Sequence, residues 1–327
     1  MRRNFFIFLT KETNFGVCME HLLYGADVSR PEQRSLGNVK PGDLALIWVP
    51  EIKQLYGVFE IQDRIFHDTA DVGWTKTWPY RCRMKLWDGF LRTIKDEQKA
   101  KLMSFVSREL VTLNDLTNLG GYIHSLLYCE GVKLLDFFLA NSEMDVPSTV
   151  IPNFSQQAHG PINPLDFTTR MTADMTEYNL EMYLLQHHQK LEELVGTGIS
   201  ELYNMLFGYQ RRYLDIMTVH MDELGRPFKT TVIELKTGLN DERMKRAMDE
   251  LASYMFWISD QTDKGKIAGS TDTIFGMLVS KRGDPALTKS FLEWKDFYGG
   301  QYGIQKNKIR YATYEVVQKV LNFKLEI

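Results

Sequence analysis

The sequence predicts two domains of mixed α and β structure: an N-terminal β-barrel carrying helices, then a mixed sheet flanked by helices. Three observations predict it. The chain has 327 residues, which at roughly 100–200 residues per domain gives two. Residues 1–90 run in short aromatic stretches of strand character, whereas the second half follows the order α, β, β, α, β, α, β. Between the halves, residues 141–169 hold Pro147, Pro152, Gly160, Pro161 and Pro164 among polar neighbours, with no sustained apolar period. This places the first domain at 1–145, a linker at 146–168 and the second domain at 169–327.

In chain order, Asn4 to Leu9, Asp43 to Val49, Leu55 to Ile61 and Tyr80 to Trp87 read as strands, with Pro41-Gly42, Pro50 and Asp71-Val72-Gly73 between them as turns. From Ile94 the period becomes helical, first through Leu102, Phe105 and Val106, then through Leu134, Leu135 and Phe138. After the linker, Thr176 reads as an N-cap before Leu180, Leu184 and Leu191. Tyr213 to Met221 and Lys229 to Leu235 flank a hairpin loop, Asp222 to Pro227. Asn240 or Asp241 caps a helix through Ile258. Thr273 to Ser280 is a buried strand, Pro285 to Phe297 a helix and Ile309 to Val316 a late strand. Gly196-Thr-Gly198 lacks a third glycine and a preceding strand, so it reads as a loop.

Composition narrows the function classes. With 44% apolar, 12% aromatic and 25% charged residues, the chain is neither disordered nor collagenous. A net charge of −3 supplies no global field for a polyanion, so any nucleic-acid site must be local. Cys18, Cys82 and Cys129 form no CxxC pair, which argues against a disulfide framework or zinc site and for reduced cytoplasmic thiols. No run nears the ~20 apolar residues of a membrane span. A soluble cytoplasmic protein is expected.

The chemistry centres on Tyr213-Leu-Asp-Ile-Met and Val232-Ile-Glu-Leu-Lys-Thr-Gly. Side chains alternate along a strand, so Glu234 and Lys236 share one face while Ile233 and Leu235 take the other. Burying a charge costs several kcal/mol unless it is paired or binds a metal. If the two strands pair, Asp215 and Glu234 converge as oxygen ligands suited to Mg²⁺, with Mn²⁺ as a substitute. Lys236 then stands where it can position a water and offset charge on a phosphorane-like transition state. The competing account is a charged cross-strand pair on a solvated sheet face, worth a few tenths of a kcal/mol.

Asp215, with Glu234-Leu-Lys236 after eighteen intervening residues, resembles the D…(D/E)xK motif of the PD-(D/E)xK nuclease superfamily. Together with Thr176-Glu-Tyr-Asn-Leu-Glu-Met-Tyr-Leu-Leu-Gln-His187, residues 170–285 resemble its NucS-like, RecB-like branch. The resemblance implies a restriction-endonuclease-like mixed sheet, with Glu181, or in second place Glu177, completing the metal site formed by Asp215 and Glu234. Some relatives carry a Gln and a Tyr one helical turn apart on the next helix, contacting DNA or the metal-bound waters; here that spacing falls on Glu250 and Tyr254, implied as DNA contacts, with the glutamate also able to add an acid near the metal. The Gln is absent. Arg211 and Arg243 are further candidates for phosphate contact, against a solvated charged face as the plain alternative.

Four of the six tryptophans, Trp48, Trp74, Trp78 and Trp87, fall in the first domain. Aromatic rings in a shallow site stack on a base at ~1–3 kcal/mol each, although any single Trp is more often core. Phe5-Phe-Ile-Phe-Leu, Val39-Lys-Pro-Gly-Asp, Tyr56-Gly-Val-Phe-Glu-Ile61 and Trp78-Pro-Tyr-Arg-Cys-Arg83 look like an EVE domain, a PUA-like barrel related to YTH readers of N6-methyladenine. That resemblance implies base binding by Asn14, Trp48 and Trp74, with Trp78 as a further member. The tryptophan that YTH readers place after Tyr-Gly is missing, since Ala26-Asp27 follows Tyr24-Gly25.

A reader joined to a metal-dependent nuclease implies a modification-dependent DNA restriction endonuclease. Cutting two strands needs two active sites, hence a homodimer. The alternatives are a NucS-like mismatch or structure-specific repair endonuclease, and a non-catalytic protein that binds modified nucleic acid, with RNA as a third substrate class.

Overall fold

The computed structural model describes residues 1–27, 31–113, 116, 123–144, 165–172, 174–207, 213–283 and 286–327. The chain divides into two compact units, Arg3–Leu165 and Asp166–Ile327, the second also taking Met1–Arg2. Arg2 joins it because its N–H donates to the Ser200 carbonyl at 2.7 Å and its guanidinium pairs with Glu201 at 3.1 Å. Most of the expected linker falls outside the described residues.

The first unit contains strands β1 (Phe5–Leu9), β2 (Leu23–Ala26), β3 (Leu44–Val49), β4 (Gln54–Ile61), β5 (Phe66–His67), β6 (Tyr80–Leu86), β7 (Arg92–Ile94), β8 (Ile123–Leu126) and β9 (Ser142–Glu143). Its helices are α1 (Glu12–His21), α2 (Lys99–Glu109) and α3 (Tyr128–Asn141). The main sheet runs β2-β6-β4-β3-β1-β8, with β1 and β3 parallel and the other neighbours antiparallel. Among the described residues β2 and β8 do not pair, so the expected barrel is a curled half-barrel. Both faces of its centre are covered, which is why β1 and β3 are apolar and buried at every position rather than alternately. Phe5, Ile7, Leu9, Leu46 and Trp48 pack with Leu102, Val106, Leu134 and Phe138 of α2 and α3. On the other face, Phe8 stacks on Tyr24 with ring centroids 4.1 Å apart.

The second unit is a six-stranded mixed sheet, β10 (Ile199–Phe207), β11 (Tyr213–Met221), β12 (Pro227–Lys236), β13 (Ile274–Lys281), β14 (Ile309–Val317) and β15 (Val320–Leu325), in that spatial order. Pairs β12–β13 and β13–β14 are parallel, and the others are antiparallel. Helices α4 (Glu177–Gln186) and α5 (His188–Val195) precede the sheet, and α6 (Asp241–Asp263) and α7 (Ala286–Tyr302) lie within its connections. Helix α6 lies against β12 and β13. A Cβ on Gly276 of β13 would collide with the Met255 sulfur of α6, so glycine permits this close approach.

In the second unit two strands, β10 and β15, are additions to the expected pattern, as β2, β5, β7, β8 and β9 are in the first. In β10 the buried polar residues Glu201 and Asn204 interrupt the apolar period. Glu201 is held by Arg2, far away in sequence, and by the neighbouring Tyr203 hydroxyl, and Asn204 Nδ2 donates to the distant Glu181. Strand β15 is an edge strand whose residues are mostly exposed. No described helix is long and apolar enough to cross a membrane.

Candidate functional site

Each unit carries one candidate site. In the second unit, Thr176 caps α4 by accepting a hydrogen bond from Asn179 N, and α4 packs on β12. Strands β11 and β12 pair with Ile216 opposite Ile233, so Asp215 and Glu234 follow as the next positions toward the C-terminal end of β12. The charge of Asp215 acts on Glu234. Asp215 Oδ2 accepts from Leu235 N at 2.8 Å, which ties the carboxylate to the strand that carries Glu234 and Lys236. Lys236 Nζ forms an ion pair with Glu234 and lies 3.4 Å from Glu250 Oε2 on α6.

The electrostatics follow from crowding and burial. Glu234 is 3% exposed. Burial first, then the Asp215 charge, raise its carboxyl pKa well above the usual range, with Glu250 adding to the effect; Lys236 only partly offsets it. For Lys236 burial alone would favour the neutral amine, but the charges of Glu234, Asp215 and Glu177 outweigh it and hold the ammonium more firmly than usual. Glu177 thus contributes to the field at Lys236. Glu181, named first by the motif, is 1% exposed and accepts from Asn204 Nδ2 at 2.9 Å.

Tyr254 corrects an expectation. It is 2% exposed and its hydroxyl donates to the Tyr213 carbonyl at 2.8 Å, so it supports the start of the Asp215 strand instead of offering a DNA contact. Glu250, expected beside it on the DNA side, faces Lys236. Arg243 is exposed one helical turn into α6, with a guanidinium contact to the Gly238 carbonyl at 3.4 Å. Arg211 lies outside the described residues.

The donor set fits a hard divalent cation. Two facing carboxylates, one disfavoured as an anion by burial and by the other's charge, are what such a cation relieves, and Mg²⁺ is commonly held by one or two carboxylates with several waters. Among the described residues, no three Asp, Glu, His or Cys side chains gather as a ready-made ligand set.

In the first unit a cavity of about 70 Å³ is lined by Thr10, Lys11, Asn14, Tyr24, Trp74 and Trp78, among others. Gly25 permits the wall, because a Cβ there would lie 2.7 Å from the Trp74 ring and 2.8 Å from Trp78 Cβ. Asn14 Oδ1 accepts from Thr75 N at 3.0 Å, which fixes the amide against the loop bearing both tryptophans. Lys76 Nζ lies 4.4 Å from the centre of the Trp78 ring.

Arg81 supports this loop from below. Its side chain is 1% exposed. It pairs with Asp68 at 2.6 Å, donates to the Trp78 carbonyl at 3.0 Å and to the Ala70 carbonyl, and lies 4.9 Å from the Trp74 ring centre. The Cys18 thiol, at the pocket's floor, is pushed up to about 12 by burial and stays protonated. Trp48 is a second correction: it is 0% exposed within the core cluster and does not line the cavity. Trp87 is 39% exposed and also lies outside the lining. Lys11, Tyr24 and Lys76 also line the cavity, although the sequence assigns them no role; Lys11-Glu-Thr-Asn14 and Tyr24-Gly25 are the stretches that mark this wall.

No protein-family model matches the chain, and no curated protein is similar to it at a significant level. Among solved structures, its N-terminal part is similar to the Mmi1 YTH domain in complex with RNA, at 12% identity and a TM-score of 0.33, over 42% of this chain and 79% of that one. It is likewise similar to the YTH domain of Zygosaccharomyces rouxii MRB1 in complex with N6-methyladenosine RNA, at 11% identity and a TM-score of 0.32, over 42% and 87%. Both likenesses are remote.

Proposed function

We propose that the chain is a modification-dependent DNA endonuclease, in which the first unit's pocket holds a modified base and the second unit hydrolyses a phosphodiester. The observation that carries the proposal is the meeting of Asp215, Glu234 and Lys236 at one end of β11 and β12, with Asp215 bonded to the Leu235 amide. Buried charges so arranged are costly to keep unless they do something.

In this reading Asp215 and Glu234, with Glu177 or Glu181, hold Mg²⁺ or Mn²⁺. When bound, such a cation polarises the phosphate and lowers the pKa of an attacking water. Lys236 orients that water and meets the charge that builds on the phosphate oxygens. Tyr254 keeps the Asp215 strand in place. In the pocket, Trp74 and Trp78 cover a flipped base, Asn14 contacts its edge, and Lys11 and Lys76 meet the neighbouring phosphates. The protein acts as a homodimer, one site per strand.

Incubation of the protein with Mg²⁺ and plasmids differing only in base modification tests this. Cleavage confined to a modified plasmid, and lost in Lys236→Ala and Asp215→Asn, is the expected result. Equal cleavage of mismatched unmodified duplexes would move the assignment to a repair endonuclease. A second reading is a binding protein without catalysis, which rests on the first unit's aromatic pocket alone. It predicts binding of modified nucleic acid with no cleavage by any variant.

A further inference from the structure

Lys236 has two carboxylate neighbours, and they come from different elements. Glu234 is two residues away on the same strand, and Glu250 projects from α6 with its Oε2 3.4 Å from the ammonium. Glu250 is not fixed as tightly as Glu234: the exposures of the two side chains are 21% and 5%. With Lys236 on Glu234, the carboxylate needed for a cation is occupied by the protein's own ammonium. A cation and an ammonium cannot share that oxygen at bonding distance without strong repulsion.

We propose that Glu250 is a positioning residue: the second seat of Lys236, which receives the ammonium when Glu234 turns to a divalent cation. This rests on the metal-dependent reading above. The exchange breaks one ion pair and forms another on the same lysine, so Lys236 stays beside the site and is not released into solvent. It also assigns a task to the glutamate at position 250. A neutral side chain at that position offers the ammonium a hydrogen bond but no counter-charge.

Mn²⁺ titration of the full chain, followed by calorimetry, tests the exchange through a double-mutant cycle. Glu250→Ala leaves Lys236 only Glu234, so Mn²⁺ affinity falls about tenfold. Lys236→Ala removes the competitor, so affinity rises by a similar factor. In the Lys236→Ala background, adding Glu250→Ala changes nothing further. Glu250→Gln, which keeps the shape of the side chain, falls between wild type and Glu250→Ala and serves if the alanine variant does not fold. An equal loss from Glu250→Ala with and without Lys236 would mean that Glu250 acts on the cation itself, and overturns the exchange while leaving the metal reading intact. So would no loss at all. Wild-type protein that binds no Mn²⁺ overturns both.

Discussion

Asp43 lies under the first unit's sheet and accepts from Asn4 N at 2.7 Å, Asn4 Nδ2 at 3.1 Å and Lys40 N at 3.0 Å. Burial outweighs these bonds and raises its carboxyl from 3.8 to about 6. A carboxyl raised on folding contributes stability that is fully present below pH 3.8 and is lost as pH rises through about 6. At about 1.4 kcal/mol per pH unit, the loss amounts to roughly 3 kcal/mol between pH 4 and pH 7. Thermal melts of wild type and Asp43→Asn, whose amide mimics the protonated acid, should therefore separate as pH rises, with the wild type losing stability; parallel curves would refute the assignment. The tryptophans separate in a similar way. Trp48→Ala should cost about 3–5 kcal/mol of stability as a core deletion and leave base binding in place, whereas Trp74→Ala, which removes a buried ring from the cavity wall, should cost stability and abolish base binding as well, as denaturant titration and a binding assay would measure. The sequence marked both rings as aromatic and offered nothing to tell them apart. Only the sheet's covered face, closed by α2 and α3, assigns Trp48 to packing.

At the scale of elements, legibility tracked period and caps. Helix α6 was readable from Asn240 onward because Asn240 Oδ1 accepts from Arg243 N at 2.9 Å while Met244, Met248, Leu251 and Met255 keep a helical apolar spacing. Asn240→Ala should lower stability by about 1 kcal/mol, and circular dichroism melts would register it. Strands β11 and β12 were readable for the same reason, and the positions of Asp215, Glu234 and Lys236 came with them. Strand β10 was not, since its polar interior residues are satisfied by Arg2 and Glu181, which lie far away in sequence. The barrel was overdrawn because alternation reveals strands but not whether the first and last of them close. Glu177 and Glu181 lie four apart on one helix, so spacing alone could not rank them; the charge acting on Lys236 brings Glu177 in.

At the scale of the molecule, the two candidate sites are built from separate units with their own cores. Their binding functions should therefore separate. Trp74→Ala should leave Mn²⁺ affinity unchanged, and Lys236→Ala should leave affinity for a modified oligonucleotide unchanged, both by calorimetry; a change of more than about threefold in either would show coupling between the units. The net charge of −3 reads differently once acids are placed: Asp43, Glu130, Glu181 and Glu234 are buried. Arg81 has a last consequence, which concerns time. Because one buried guanidinium holds Asp68, Ala70 and Trp78 together, the loop that walls the pocket is ordered before any ligand arrives. Association should then follow a single exponential whose rate rises linearly with ligand concentration, with no slow closing phase and no plateau.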